Sequence, residues 1–472
     1  MRLSQPIEKV AYFWLPGSPE NRFPGTLHIS RLGEVTAEVI GIFSVNNELF
    51  SKLDRVTGIT EDGKPLTLSE CNCRSLKLSF GGLSRFLIHA KYALIGFSYD
   101  EGIPITFTTL RFSIEGLDEW LGVTGIRVEH NWQEQIASIS YVIPDGIAIN
   151  LPNEFTLSFI FMWTIPGFPV IKEAKITQKA YVELKCESPQ SLQVFLDLVF
   201  KINNFMRFVM DKTIAIDYAE GYSPDIKRTL DNDDQYAAPV TIYFYGTKLP
   251  IEKPKIYHND MLFPYGSMSV NIESIMNEWL NNYAIFEPAF NLYFSTKSSE
   301  NMYLESKFLF LIQGLETLHR RNSEDTYMTA NEFQELVALL GDACPEKNKK
   351  WLKEKLAYAN EPSLRMRMRK MIAPFSSLFG DQKRQNDFIN KTVNTRNYFT
   401  HYSSENSGSA VRDVNLISLC RKLEGLFQLH LLKLIGVDQN DIEKIIKNNI
   451  ALGSKLGIAP EEVSAETNEV DI

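Results

Sequence analysis

Near residue 270 the spacing of apolar residues changes, and that change constrains the fold more than any other feature of the chain. Up to about residue 185, apolar and β-branched residues fall in short runs with a period of two, at 34–43, 75–80, 86–99, 105–113, 136–142, 154–163 and 171–184. A strand points successive side chains to opposite faces, so such runs predict strands. Turn signals such as Asp62-Gly63, Gly81-Gly82 and Asp145-Gly146 separate them. Ser188-Pro189 predicts a helix start, and Leu192, Phe195, Val199, Ile202 and Met206 give the helix one apolar stripe to about residue 210. Two further strands are expected at 213–218 and 240–245, around the polar loop 231–234. Beyond 270 the period is helical, at 272–290, 300–321, 331–341, 347–359, 364–378, 385–401, 411–435 and 438–451. The expectation is a two-domain α+β protein. A β-rich N-terminal domain, either a sandwich or a curved barrel-like sheet, should occupy 1–290, an all-α bundle 291–452, and an acidic mobile tail 453–472.

A chain of 472 residues exceeds one ordinary core. Its 44% hydrophobic and 23% charged content is that of a globular protein. The five cysteines are odd in number and form no disulfide framework, so reduced thiols are expected. Cys71 and Cys73 form a C-x-C, but no second Cys or His pair lies at finger-like spacing, and neither a metal nor another cofactor is expected. No run of ~18 apolar residues occurs and the first residues lack the apolar core of an export signal, so a cytoplasmic protein without a membrane partner is expected. Phosphate-loop, nucleophile-elbow and H-E-x-x-H motifs are missing from the sequence, which removes the main support for NTPase, α/β-hydrolase and zincin readings.

The net charge of −9 argues against nonspecific coating of nucleic acid, yet the charge is unevenly placed. Residues 346–401 hold 13 Lys/Arg against 5 Asp/Glu, a local +8 that leaves −17 for the rest. A basic field of this kind attracts a phosphate backbone. Any one of Lys347, Lys349, Lys350, Lys353 and Lys355 taken singly reads as a solvated helix face.

Within the basic stretch stands Arg396-Asn397-Tyr398-Phe399-Thr400-His401, at the end of a predicted helix and before the polar break 403–408. Asn397 and His401 are four apart and share a helix face, whereas Arg396 points elsewhere unless the backbone turns. Arg396 and His401 converge only through such a turn, or across two facing copies. Their residue types suit metal-free cleavage of RNA. Histidine titrates near neutrality and can take the 2′-OH proton, while arginine keeps its charge and offers a planar fork to phosphate oxygens. An Arg followed by His at a spacing of five to seven arises about once by chance in a chain of this length. Arg22 and His28 illustrate it, flanking a Pro24-Gly25 that predicts a turn.

Residues of about 300–435 resemble the ApeA-like branch of HEPN domains. The resemblance runs through Phe308-Leu309-Phe310-Leu311-Ile312-Gln313-Gly314-Leu315-Glu316-Thr317-Leu318 and, a few helices later, the Arg-Asn-x-x-x-His segment. The front half is similar to the ApeA N-terminal domain through Trp14-Leu15-Pro16, Phe23-Pro24-Gly25-Thr26-Leu27 and 112–120. The resemblance implies an all-α HEPN bundle acting as a metal-independent endoribonuclease in abortive-infection defence against phage. It implies Arg396 and His401 as catalytic residues, Asn397 as a supporting group, and Glu316 as a polar neighbour, which reads equally as a solvated partner of Arg320. Tyr398 and Tyr402 could stack on a base or serve packing. RNA substrate, a homodimer or higher even oligomer and a phage-derived trigger are the implied partners. The rival expectation is a non-catalytic module that dimerises and holds RNA or protein.

Other groups have plainer readings. His319, beside Arg320-Arg321, reads as a cation at a helix end, and His430 as a satisfied core histidine. Glu115, Asp118 and Glu119 read as a solvated helix start. Of Arg365, Arg367 and Arg369, one or two could reach RNA.

Overall fold

The computed structural model describes residues 1–458 apart from 42, 46–47, 50–51, 78–81, 169–170, 230–234, 247–248, 299–301 and 403–407. The loop expected at 231–234 and most of the expected tail lie outside the described residues. Two compact units divide between Asn277 and Glu278. The β-rich region spans 7–244 and the helical one 265–456.

The first unit begins with β1 (Ile7–Trp14), β2 (Phe23–Ile29) and β3 (Val35–Ile40), then the short pair β4 (Ser44–Val45) and β5 (Glu48–Leu49), then β6 (Lys52–Thr60), β7 (Pro65–Lys77) and β8 (Arg85–Ile95). Antiparallel ladders run β3–β2–β1–β6–β7–β8, and β8 pairs with β3 again, so six strands close into a ring. Closure removes the exposed edges that an open sheet must protect. Val35, Ala37 and Val39 alternate inward on β3 and join Phe13, Leu27, Val56, Leu68 and Ile88 in the buried interior.

Residues 92–95, in the second half of β8, leave β3 and pair instead with β18 (Val240–Phe244). From there an open sheet continues through β15 (Ile216–Tyr222), β9 (Thr106–Ile114), β14 (Thr177–Ser191), β13 (Phe155–Thr164) and β12 (Ile147–Asn150). Two hairpins stand apart from it, β10 (Ile126–Asn131) with β11 (Ile136–Tyr141), and β16 (Lys227–Thr229) with β17 (Gln235–Ala237). α1 (Leu117–Leu121) buries Trp120, whose indole N–H donates to the Phe263 carbonyl at 3.1 Å. α2 (Leu192–Val209) lies against β9 and β14.

Three expectations for this unit are corrected. Pro24-Gly25 makes no turn: both residues lie in β2, with Pro24 opposite Tyr12 and Gly25 opposite both Ala11 and Val39. Pro24 precedes the first β2–β3 pair, so its missing N–H costs no bond on that side. A Cβ on Gly25 would meet the Glu38 carbonyl oxygen at 2.4 Å, so only glycine admits β3 this closely. Helix α2 is capped by Ser191, which accepts from the Val194 N–H, while β14 runs through Ser188. Glu115 and Asp118 are not solvated: Glu115 is buried in an ion pair with Arg2, and Asp118 accepts from the Ala180 N–H at 2.8 Å. Burial pushes both carboxyls above their usual range.

The helices after α3 (Tyr265–Met268) are α4 (Ile272–Ser298), α5 (Leu304–Asn322), α6 (Ala330–Ala343), α7 (Lys349–Leu356), α8 (Leu364–Ile372), α9 (Gln382–His401), α10 (Asp413–Leu434), α11 (Gln439–Asn448) and α12 (Ile450–Leu456). Residues 290 and 291, where the sequence suggested a division, both fall within α4. In the second unit Trp279 stacks on Phe290 at 4.9 Å between ring centres, which joins the two halves of that helix's apolar face. α10 is the central element, burying Leu419, Leu423, Leu426, Phe427 and Leu431. α5 meets it through Leu311, Leu315 and Leu318, and a Cβ on Gly314 would lie 2.7 Å from the Phe427 ring. Glu424 of α10 is buried among Lys297, Lys307 and Lys455. Burial opposes its ionisation, yet the three ammonium groups together hold the carboxyl well below its usual range. The expected start of the tail at 453 is also corrected, because α12 runs to Leu456 and buries Leu452 and Leu456. Among the described residues no helix is long and apolar enough to cross a membrane.

Candidate active site

α9 carries the Arg-Asn-x-x-x-His segment. Asp381 starts the helix by accepting from the Arg384 N–H at 2.8 Å. Phe388, Ile389, Thr392, Thr395 and Phe399 form its buried stripe, so the helix has one fixed rotation about its axis. It ends at Tyr402, whose left-handed backbone (φ 49°) turns its N–H onto the Tyr398 carbonyl at 2.6 Å. Thr395 Oγ1 accepts from the Val411 N–H at 2.9 Å and fastens the returning chain.

The buried stripe places Arg396 and Thr400, one turn apart, in an open groove of about 480 Å³ between α5 and α9. From α5 come Leu309, Gln313, Glu316 and Arg320. Glu316 is half-buried and shared. One carboxylate oxygen is 3.8 Å from Arg396 Nη2, the other 3.7 Å from Arg320 Nη2. The same Arg320 nitrogen lies nearer Glu361, at 2.8 Å. At 34% exposure, and with only a long ion pair and a 3.4 Å bond to Asn397 Oδ1 among the described residues, the Arg396 guanidinium keeps donors open to an incoming anion.

His401 is not in that groove. The helix is continuous from Arg396 to His401, and five residues of α-helix carry a side chain about 140° around the axis. His401 is therefore exposed on a different face, with Asn397 one turn before it on its own side. Of the two routes to convergence weighed from sequence, a backbone turn between Arg396 and His401 does not occur in this chain.

The two tyrosines separate. Tyr398 packs, with the Arg412 guanidinium 4.9 Å from its ring centre and Tyr402 at 5.6 Å, whereas Tyr402 is largely exposed. Gln313, Thr400 and Arg412 escaped the sequence reading. The signal for the first was available: Gln313 precedes Glu316 by three residues on one helix face. Arg367 is withdrawn from the candidate RNA contacts, because it is buried, donates to the Pro362 carbonyl at 3.1 Å and pairs with Glu361 at 3.1 Å. Arg365 is engaged by Asn390, and the lysines of α7 are exposed. His319 is no helix-end cation. Its side chain is 7% exposed and burial, with Arg367 beside it, lowers its pKa. His430 is a core histidine bonded to the Met371 carbonyl at 3.0 Å, its pKa lowered to about 4 by burial. Cys71 is buried, its thiol pushed up to about 12, and no group of three or more metal-ligating side chains occurs among the described residues.

A β-rich unit followed by a helical one, with Arg-Asn-x-x-x-His ending a helix beside an open polar groove, defines a two-part protein of the HEPN nuclease type. The chain belongs to the ApeA family: residues 8–279 match ApeA N-terminal domain 1 and residues 309–441 match the Apea-like HEPN domain. HEPN domains are generally ribonucleases and often dimerise, and this pairing of domains is that of an anti-phage family. No significant similarity connects the chain to a curated protein or to a solved structure.

Proposed function

We propose that the protein is a metal-independent endoribonuclease of abortive-infection defence, acting in the cytoplasm as a homodimer or higher even assembly. The observation that carries this is the position of Arg396, whose weakly held fork faces an open groove, while His401 stands exposed on another face of the same helix. Two copies related by a twofold axis bring the Arg396 of one chain to the His401 of the other. His401 takes the 2′-OH proton, the 2′ oxygen attacks phosphorus, and the 5′ oxygen leaves with a proton returned from a second His401. The products are a 2′,3′-cyclic phosphate and a 5′-OH. Arg396 neutralises the charge that develops on the phosphoryl oxygens, Asn397 orients its partners, and Tyr402 offers an exposed ring to a base. Glu316 keeps Arg396 in the groove without saturating it. The requirement for a 2′-OH excludes DNA. The N-terminal unit senses a phage-derived trigger or restrains cleavage.

Incubation of the purified protein with total RNA in excess chelator tests this. Cleavage leaving 2′,3′-cyclic phosphate ends, lost in His401→Ala and Arg396→Ala, is the expected result. Intact RNA both with and without phage lysate leaves the non-catalytic binding module in its place.

A further inference from the structure

A second cavity of about 370 Å³ opens on another side of α5 at its C-terminal end, between that helix's last turn, α8 and α10. One wall is apolar, formed by Leu318, Met371 and Leu434. Facing into it are Lys370, Lys433 and the buried ring of His319. Arg367 donates to His319 Nδ1 at 3.4 Å, which leaves the proton of a neutral ring on Nε2, 3.6 Å from Asp325. Lys370 offsets the Asp325 carboxylate at 2.7 Å. Lys433 has no ion-pair partner among the described residues, so the cavity carries a surplus positive charge. A concave apolar wall with a cation at its rim and a buried polar ring at its base complements a flat heterocycle bearing a phosphate.

The cavity is also wired to the groove. Asp325 is shared between Lys370 and His319, Glu361 between Arg367 (3.1 Å) and Arg320 (2.8 Å), and Glu316 between Arg320 (3.7 Å) and Arg396 (3.8 Å). Each carboxylate has two cationic or imidazole partners, so a change in its hold on one changes its hold on the other. We propose that this cavity is an effector site for a nucleoside monophosphate, whose phosphate competes with Asp325 for Lys370 and so acts on Arg396 through the shared carboxylates. The regulatory half of this rests on the reading of Arg396 as catalytic, whereas the binding half does not.

Calorimetric titration of the full chain with AMP, GMP, CMP and UMP, and with inorganic phosphate, tests the binding. At least one nucleotide should bind more tightly than phosphate, with affinity reduced tenfold or more in Lys433→Glu and shifted by no more than about fivefold, the size of the coupling itself, in Arg396→Ala. Binding that survives Lys433→Glu, or that disappears with Arg396→Ala, overturns the site. So does inorganic phosphate binding as tightly as every nucleotide. The rate of RNA cleavage with and without the bound nucleotide tests the relay. A change of about fivefold or more is expected in the wild type and should shrink toward unity in Glu361→Gln, the ratio within each variant removing any change in basal rate. An unchanged wild-type rate overturns the relay. If no RNA is cut under any condition, the ribonuclease reading fails while the titrations still decide the cavity.

Discussion

Arg396 and His401 differ in what a conservative change would cost. Lysine at 396 keeps the charge but presents one point donor where the groove and Glu316 are arranged around a fork. Arg396→Lys should therefore lower the cleavage rate by about a hundredfold, the range found when one transition-state donor is lost. Its melting temperature should stay close to wild type, since the ion pair with Glu316 is long and partly solvated. A comparable fall in melting temperature would make Arg396 structural. A different residue should govern acid stability. His430 is buried neutral with a pKa of about 4, against about 6.5 when unfolded. Between those values the unfolded chain binds the extra proton, so stability declines as pH falls from 6.5 and the contribution is spent near pH 4. His430→Gln keeps a donor for the Met371 carbonyl and cannot titrate, so its melting temperature should fall less steeply over that interval. The candidates that sequence alone could name were those with a recognisable chemistry, Arg396 and His401. Their failure to converge within one chain was readable only as an open alternative, because it depends on whether one turn of helix persists.

At the scale of elements, the helical half was legible because each helix buries one stripe against one neighbour and shows its period plainly. α9 and α10 were expected to within a few residues, and α5 likewise. Barrel strands β1, β2 and β6 were not expected at all, and β7 only at its last residues. β6 carries Asp54 and Arg55 beside Gly58, and small or polar residues such as Thr57, Thr67 and Ser69 are buried on β6 and β7, so neither strand shows the alternation a solvated sheet face would impose. Their pairing is long-range and leaves little local trace. Close contact between helices gives a sharper prediction. Gly314→Ala forces a methyl to within 2.7 Å of the Phe427 ring, so α5 must move from α10. A loss of about 1–3 kcal/mol in urea unfolding is expected, the usual cost of overpacking a tight core. No loss would mean that Phe427 rotates freely.

For the whole molecule, the division between the units decides which fragment can be studied. Trp279, Tyr283 and Phe286 are buried, and Trp279 and Tyr283 both pack on Phe290. A fragment of residues 272–472 keeps this aromatic face and should show cooperative thermal unfolding, whereas 291–472 should be largely unfolded by circular dichroism. If 272–472 is toxic to its host and its His401→Ala form is harmless, the missing half was a restraint; a folded but inert fragment would instead give the N-terminal unit a direct part in activity. Mixing His401→Ala chains with wild type should depress cleavage beyond their share, and a proportional loss would oppose a composite site. Strand order has one more consequence, in time. All six barrel strands lie within residues 7–95, so the ring can close while the rest of the chain is still unmade. At ~5–20 residues per second, the last part of the chain, with α9 in it, leaves the ribosome some tens of seconds afterwards. The helical unit is thus made last, after the barrel has had time to take shape.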